Sequence, residues 1–279
     1  MKISGIFLTV NERVYLYHYS ILRKTIVIYE YNCLKSSPPL WYIIDKIREI
    51  EIEANLLKEV ASKYKPSLIF FITCKGSDFR EIKKAIEAVD DIGADIGAAI
   101  HFSDFIKDIE SLPKIQYLAL YMYASEIEEG NTFREALEKF FMNSTRFIEF
   151  HVGVKSREDL LRAMNLIDSF TVTSPLHIFI EKPISPRIKQ IESKLSNIYL
   201  HDLSTGSSDI YETRCPKCNS LLVIRNGMLP IKGKVIFSST CPKCGEQVLF
   251  RESEKKWVNV NLLMRGFDIT FPGVQTGHE

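Results

Sequence analysis

The stretch "RFIEFHVGVKSREDLLRAMNLIDSF", residues 146–170, sets the fold class. Its first nine residues are rich in β-branched and aromatic side chains, as is typical of a short strand. The remainder repeats apolar positions at helical spacing, and Ser156 with Asp159 has the pattern of a capping box. A strand followed directly by a helix is one βα unit, and a series of such units predicts a parallel sheet.

The same alternation continues on both sides of this unit. It predicts strands at 25–31, 67–73, 95–102, 116–123, 175–181 and 197–203, and amphipathic helices at 41–64, 78–91 and 132–141. Ser185-Pro186 has the pattern of an N-cap followed by proline at the first helical position. We therefore expect an α/β fold whose parallel strands form either a barrel or an open sheet.

Composition limits the classes of function. The chain has 279 residues, 46% of them hydrophobic and 25% charged, with a formal net charge of +1. A nearly neutral chain has no global field that favours nucleic acid or an anionic membrane. The apolar run before Asn11 is too short for a signal peptide or a membrane span, so we expect a cytoplasmic protein with no membrane partner.

Changes in composition predict three regions. Residues 1–205 form the large α/β domain, residues 206–270 a small cysteine-containing domain, and residues 271–279 a flexible tail. Residues 210–251 contain seven Lys or Arg and two Glu, which gives a local excess of +5. Such a basic segment is one indication of contact with RNA or DNA phosphates.

The small domain contains a metal-ligand pattern. "CPKC" at 215–218 and "CPKC" at 241–244 are separated by 22 residues, which read as a hairpin with turn residues at Asn226-Gly227 and Gly233. A hairpin with two such cysteine pairs is typical of a zinc ribbon. We predict structural zinc bound by Cys215, Cys218, Cys241 and Cys244, because four thiolates leave no open coordination position. A rubredoxin-like iron site and disulfides are the alternatives.

Polar side chains alternate with apolar ones along the predicted strands. If the sheet closes into a barrel, such residues lie on the inner faces of its strands. They are Glu149, His151, His177 and Glu181, with His101 near the end of its strand. Two interpretations are open: the groups satisfy one another inside the barrel, or they line a pocket for a ligand or metal at the barrel mouth.

The order of these motifs resembles the radical SAM protein of the AmmeMemoRadiSam system, which is related to the activating enzymes of pyruvate formate-lyase. The resemblance rests on "ERVYLYHYS…KTIVIYEYNC", on "TSPLHIFIEKPIS", and on "IYLHDL…TRCPKCNSLLVIRNG…CPKCG". It covers most of the chain to about residue 250. It implies a partial parallel (β/α) barrel of radical SAM type with a C-terminal zinc-ribbon-like β appendage.

The chain departs from this family at the chemistry. The family needs three cysteines at C-x3-C-x2-C spacing after the first strand, to hold a [4Fe–4S] cluster that cleaves S-adenosylmethionine. Here Cys33 is followed at those spacings by Ser37 and Leu40, and leucine cannot ligate iron. The family's Gly-Gly-Glu segment is replaced by Thr73-Cys74-Lys75-Gly76. We therefore expect neither the cluster nor S-adenosylmethionine as a cofactor.

Cys33, Cys74 and His101 follow adjacent predicted strands. They are either two buried thiols and a polar histidine, or ligands of a transition metal.

Three functions remain open: a degenerate radical-SAM-like barrel that binds or scaffolds an unknown protein or small ligand, an enzyme that uses the polar pocket, and a nucleic-acid- or ribosome-associated zinc-ribbon protein.

Overall fold

The computed structural model describes residues 2–10, 15–17, 23–31, 50–108, 115–127, 147–169, 175–183, 197–203, 210–226, 229–235, 240–247 and 267–268. Several sequence predictions lie outside these residues: Cys33, Ser37 and Leu40, the helix at 132–141, the helix start at Ser185-Pro186, and the tail.

The first part of the chain alternates strands and helices. In chain order these are β1 (Lys2–Val10), β2 (Lys24–Glu30), β3 (Ile50–Glu51), α1 (Ala54–Tyr64), β4 (Leu68–Ile72), α2 (Phe79–Val89), β5 (Asp95–His101), α3 (Phe102–Asp108), β6 (Tyr117–Tyr123), β7 (Phe147–Val154), α4 (Arg157–Ser169), β8 (Leu176–Ile180) and β9 (Ile198–Asp202). The later strands are β10 (Ile210–Arg214), β11 (Leu221–Asn226), β12 (Leu229–Val235) and β13 (Phe267–Asp268).

Among the described residues, ten strands form one mostly parallel sheet. Strands β2, β4, β5, β6, β7, β8 and β9 are parallel and lie side by side in chain order. Strand β1 pairs antiparallel with β2, β3 and β13 at the edge of this sheet. The predicted α/β class and its parallel strands are confirmed, because consecutive βα units place each new strand beside the last.

The two faces of the sheet differ in what covers them. On one face, Ile148, Phe150 and Val152 of β7 belong to a core that includes residues of all four described helices. On the other face, Phe70, Tyr117, Phe179 and Tyr199 belong to a second, aromatic core without described helical residues. The alternation read from the sequence therefore separates a helix-covered aliphatic face from an aromatic and polar face.

Local capping fixes where helices begin. Ser156 Oγ accepts a hydrogen bond from the amide of Asp159 at 3.1 Å, and Asp159 Oδ2 accepts one from the amide of Lys155 at 3.0 Å. These contacts satisfy donors at the start of α4 that the helix itself leaves open. The end of β7 is thereby held next to the helix start.

Three expectations differ from the structure. The helix predicted over 41–64 is interrupted, because Ile50–Glu51 pairs with β1 and α1 begins only at Ala54. Strand β1 was not predicted; its buried Ile3, Ile6 and Val10 do not follow the two-residue period of a strand, and its pairing with β2 shifts register between Ile3 and Gly5. Gly233 was expected in a turn but lies within β12.

A separate three-stranded antiparallel sheet has the order β10-β11-β12. The predicted hairpin is confirmed by the pairing of Asn226 with Leu229, but Asn226 is the last residue of β11 and Gly227 lies outside the described residues. Arg225 of β11 contacts the segment between β1 and β2, where its Nη2 donates to the carbonyl oxygen of Tyr17 at 2.8 Å. In the described part of the chain, no helix has the length and apolar character needed to cross a membrane.

Candidate metal centre and polar interior

Two short loops with the same backbone geometry hold the four cysteines. In the first, the Cys215 amide donates to the Ser220 carbonyl, and the Asn219 amide donates to the Cys215 carbonyl. In the second, the Cys241 amide donates to the Glu246 carbonyl, and the Gly245 amide to the Cys241 carbonyl. Asn219 and Gly245 occupy the same position in each loop with φ of 55° and 72°, where asparagine and glycine are best tolerated.

The loops direct all four sulfur atoms to one centre. The Sγ atoms of Cys215 and Cys244 are 3.6 Å apart, as are those of Cys218 and Cys241. All four lie within 4.8 Å of one another. A tetrahedral site with Zn–S bonds of about 2.3 Å needs sulfur–sulfur distances of about 3.8 Å. The four cysteines can therefore hold one metal ion with little rearrangement.

Ser220 is a neighbour of this centre that the sequence did not indicate. Its hydroxyl lies 3.0 Å from Cys218 Sγ and 3.2 Å from Cys241 Sγ. The hydrogen bond from Ser220 lowers the pKa of Cys218 and lowers that of Cys241 to about 6. Thiolate is the form that binds metal, so this hydroxyl favours metal binding. The sequence gives one indication of this contact with the sulfur atoms, namely that Ser220 lies two residues after Cys218.

The second cluster lies on the aromatic face of the large sheet. Glu149, His151 and His177 are 0–1% exposed, and one donor atom of each lies within 4.8 Å of the others. Glu149 Oε2 is 2.7 Å from His177 Nε2, and His177 Nδ1 is 2.9 Å from His201 Nε2. Glu149, His151 and His177, all predicted from the sequence as pocket residues, therefore converge inside the fold rather than at its surface.

Three tyrosines surround this cluster. The Tyr117 hydroxyl donates to Glu149 Oε1, and the Tyr17 amide donates to Glu149 Oε2 at 3.3 Å. The Tyr17 ring packs edge-on against His177 at a centroid distance of 4.9 Å, and the Tyr199 ring lies 4.8 Å from His177. Burial keeps the pKa of His151 and His177 well below the ordinary value, so both imidazoles are neutral at physiological pH.

His101 belongs to a different group, at the C-terminal edge of the sheet. Its Nδ1 lies 2.8 Å from the Ser103 hydroxyl and its Nε2 lies 3.0 Å from Glu126 Oε2. Lys75 Nζ donates to the other oxygen of Glu126 at 2.5 Å. Burial alone would raise the pKa of Glu126, but the bonds from His101 and Lys75 outweigh burial and lower it to about 2.

Glu181 lies in a third group. Its Oε1 accepts from the Tyr123 hydroxyl at 3.0 Å, and its Oε2 lies 3.7 Å from Lys155 Nζ. Lys155 also stands 3.7 Å above the Tyr123 ring. His101 and Glu181 are thus engaged with other partners and do not join Glu149, His151 and His177 in one pocket.

Cys74 is buried just after β4. Its amide donates to Ser77 Oγ at 2.7 Å and to Glu30 Oε2 at 3.1 Å. Burial raises the pKa of Glu30. The placement of Cys33 beside Cys74 and His101 stays a prediction, because Cys33 lies outside the described residues.

Several basic residues of the small domain are already engaged. Arg214 donates to Glu212, Lys217 lies 3.0 Å from Glu246, and Arg225 is 0% exposed. Tyr211, an aromatic residue of the same segment, is 7% exposed and packs against His201. These contacts reduce the positive surface expected from the local charge, and nucleic-acid binding stays a prediction.

Arg225 is the main structural residue that the sequence analysis did not single out. It lies 4.4 Å over the Tyr17 ring and donates through Nη1 to Thr213 Oγ1 at 2.8 Å. A charged residue inside the apolar run "LLVIRN" was the available signal.

Neither a protein-family model, nor a curated protein, nor a solved structure matches this chain.

Proposed function

We propose that this is a zinc-binding protein whose small domain is held together by one structural zinc ion. The observation that carries the proposal is the convergence of four cysteine Sγ atoms within 4.8 Å of one another. Thiolate ligands in a tetrahedral arrangement select zinc over the harder divalent ions. Four sulfur ligands complete the coordination, so the role is structural.

The size of the small domain explains the need for metal. Its described sheet has the three strands β10, β11 and β12, and the second cysteine loop is closed by its own isolated bridge between Thr240 and Gln247. Such a unit buries little apolar surface of its own, so metal binding supplies much of its folding free energy. Zinc thereby also holds β11, which carries Arg225, against the large sheet.

The large α/β unit is proposed to be a partial radical-SAM-like barrel that binds or scaffolds a partner. Consecutive parallel strands with all described helices on one face are compatible with such a barrel. The substitutions Ser37 and Leu40 in the loop after Cys33 argue against a [4Fe–4S] cluster. At the C-terminal edge, Lys75 lies in the segment where the family has an acid, so the charge there is reversed. Lys75 forms an ion pair with Glu126.

Metal analysis after anaerobic purification tests this proposal. We expect zinc bound to the four cysteines, with neither inorganic sulfide nor a four-iron cluster. About four irons with matching sulfide per chain would overturn the interpretation that the barrel has lost its [4Fe–4S] cluster.

Matched cysteine variants assign the zinc. Cys241→Ser removes one of the four clustered thiols and should lower the zinc content by one equivalent. Cys33→Ser is the control, and it should leave zinc content and folding nearly unchanged. Loss of a metal from Cys33→Ser would show that the loop after β2 does bind one.

A further inference from the structure

The polar interior contains a second set of metal-ligating groups, separate from the four cysteines. We propose that Glu149, His151 and His177 bind one divalent transition-metal ion, buried on the aromatic face of the large sheet. Two imidazoles and one carboxylate are a donor set that suits zinc and iron(II).

The backbone brings these side chains together. Glu149 and His151 are two residues apart on β7, so their side chains leave the same face of the sheet. His177 of β8 is the register partner of His151. The His151 and His177 rings have centroids 4.9 Å apart and are inclined at 61° rather than stacked, which lets a nitrogen of each ring approach a common point.

The hydrogen bonds of His177 suit a metal ligand. His177 Nε2 faces Glu149 Oε2 and its Nδ1 faces His201 Nε2. When Nε2 of His177 binds the ion, the ring proton resides on Nδ1 and is donated to His201. Such an outer hydrogen bond fixes the tautomer of a ligating histidine.

Charge also favours a cation at this position. Glu149 is 1% exposed, and its described hydrogen bonds come from the Tyr117 hydroxyl, the Tyr17 amide and His177. A buried carboxylate is stabilised by pairing with a cation or by coordinating a metal. The Arg225 guanidinium opposes a dication, but its described hydrogen bonds go to Tyr17 O and Thr213 Oγ1.

The test is the metal content of full-length protein produced in cobalt-supplemented medium, so that metal enters during folding. We expect two cobalt ions per wild-type chain. The ion at the four cysteines gives strong sulfur-to-cobalt charge-transfer absorption, whereas the second ion gives only weak ligand-field bands. His177→Phe and Glu149→Gln should each retain the charge-transfer band and lose one cobalt.

His101→Phe is the matched control, because His101 is a buried histidine of the same sheet that contacts Glu126 instead of the cluster. It should keep both ions. Glu149→Gln is nearly isosteric, so it remains informative if His177→Phe fails to fold. One cobalt per wild-type chain with thiolate absorption would overturn the second site while leaving the zinc proposal intact. Two cobalt ions in Glu149→Gln would also overturn the second site.

Discussion

Arg225 is the residue whose burial most needs explanation. The Tyr17 ring and carbonyl and Thr213 Oγ1 hold its guanidinium, whereas its buried Nε has no hydrogen-bond partner among the described residues. The same residue connects the small sheet to the polar interior of the large one.

We expect Arg225→Met to lower the free energy of unfolding by about 1–3 kcal/mol, because the Tyr17 carbonyl would lose a charged donor inside the fold. Urea denaturation measures this change. Arg80→Met is the control, since Arg80 is exposed and pairs with the neighbouring Asp78; its effect should stay within about 0.5 kcal/mol. Equal stability of the two variants would show that Arg225 makes no net contribution.

Glu126 predicts a pH dependence. Its pKa of about 2 lies below the ordinary value of 4.5, because bonds from His101 and Lys75 outweigh burial. A depressed carboxylate pKa stabilises the fold fully above about pH 4.5, and the contribution disappears as the pH falls towards 2. Since the group is partly exposed, we expect about 1 kcal/mol at neutral pH.

The stability difference between wild type and Glu126→Gln measures this contribution. It should be largest near pH 7 and should shrink below about pH 4.5. Using the difference removes acid effects common to both proteins, including loss of zinc. A difference that is constant from pH 7 to pH 2.5 would contradict the assigned pKa shift.

At the scale of the strands, the interior face is built by alternating large and small residues across neighbours. Phe70 of β4 is in register with Gly97 of β5, which is in register with Tyr117 of β6. A Cβ atom on Gly97 would lie 2.7 Å from Phe70 Cδ2 and 3.2 Å from the Tyr117 carbonyl oxygen. The absence of a side chain at Gly97 therefore makes room for the Phe70 ring and for the close approach of the Tyr117 backbone.

Gly97→Ala should cost about 1–3 kcal/mol of folding free energy through overpacking. Replacing Phe70 by leucine in the same chain should recover part of that loss, since the closest contact is removed. Thermal or urea unfolding of the single and double variants gives the coupling energy. Strictly additive effects would mean that Phe70 is not the residue that excludes a larger side chain.

Strand and helix periodicity predicted the parallel sheet well, because each βα unit is specified by local pattern and capping. Periodicity failed where pairing between distant segments decided the outcome. Ile50–Glu51 continues a helical pattern but pairs with β1 across the sheet edge. Propensity is a weak determinant when a tertiary contact competes with it.

The four cysteines were predictable because ligand spacing alone defines such a site. Strand parity predicted that Glu149, His151 and His177 lie on one face of the sheet. It does not show which side chains on that face contact one another. Sequence alone grouped them with His101 and Glu181, whereas the structure gives each of those two its own partners. Arg225 and Tyr17 are far apart in the sequence, so their contact had no local signal.

For the whole molecule, the zinc centre and the large sheet are expected to be mechanically linked. Removing zinc with a chelator should loosen β11 and withdraw Arg225 from Tyr17. We expect hydrogen exchange to increase first in residues 210–226 and then at 15–17, while β4 to β6 stay protected. Increased exchange confined to the cysteine loops would contradict this link.

The most direct test of the central claim compares the zinc content of wild type with that of Cys241→Ser, both purified anaerobically and checked for folding by circular dichroism. We expect a difference of one zinc per chain and no sulfide in either protein. Equal zinc contents, or a difference made up of iron, would contradict the assignment of Cys215, Cys218, Cys241 and Cys244 as a structural zinc site.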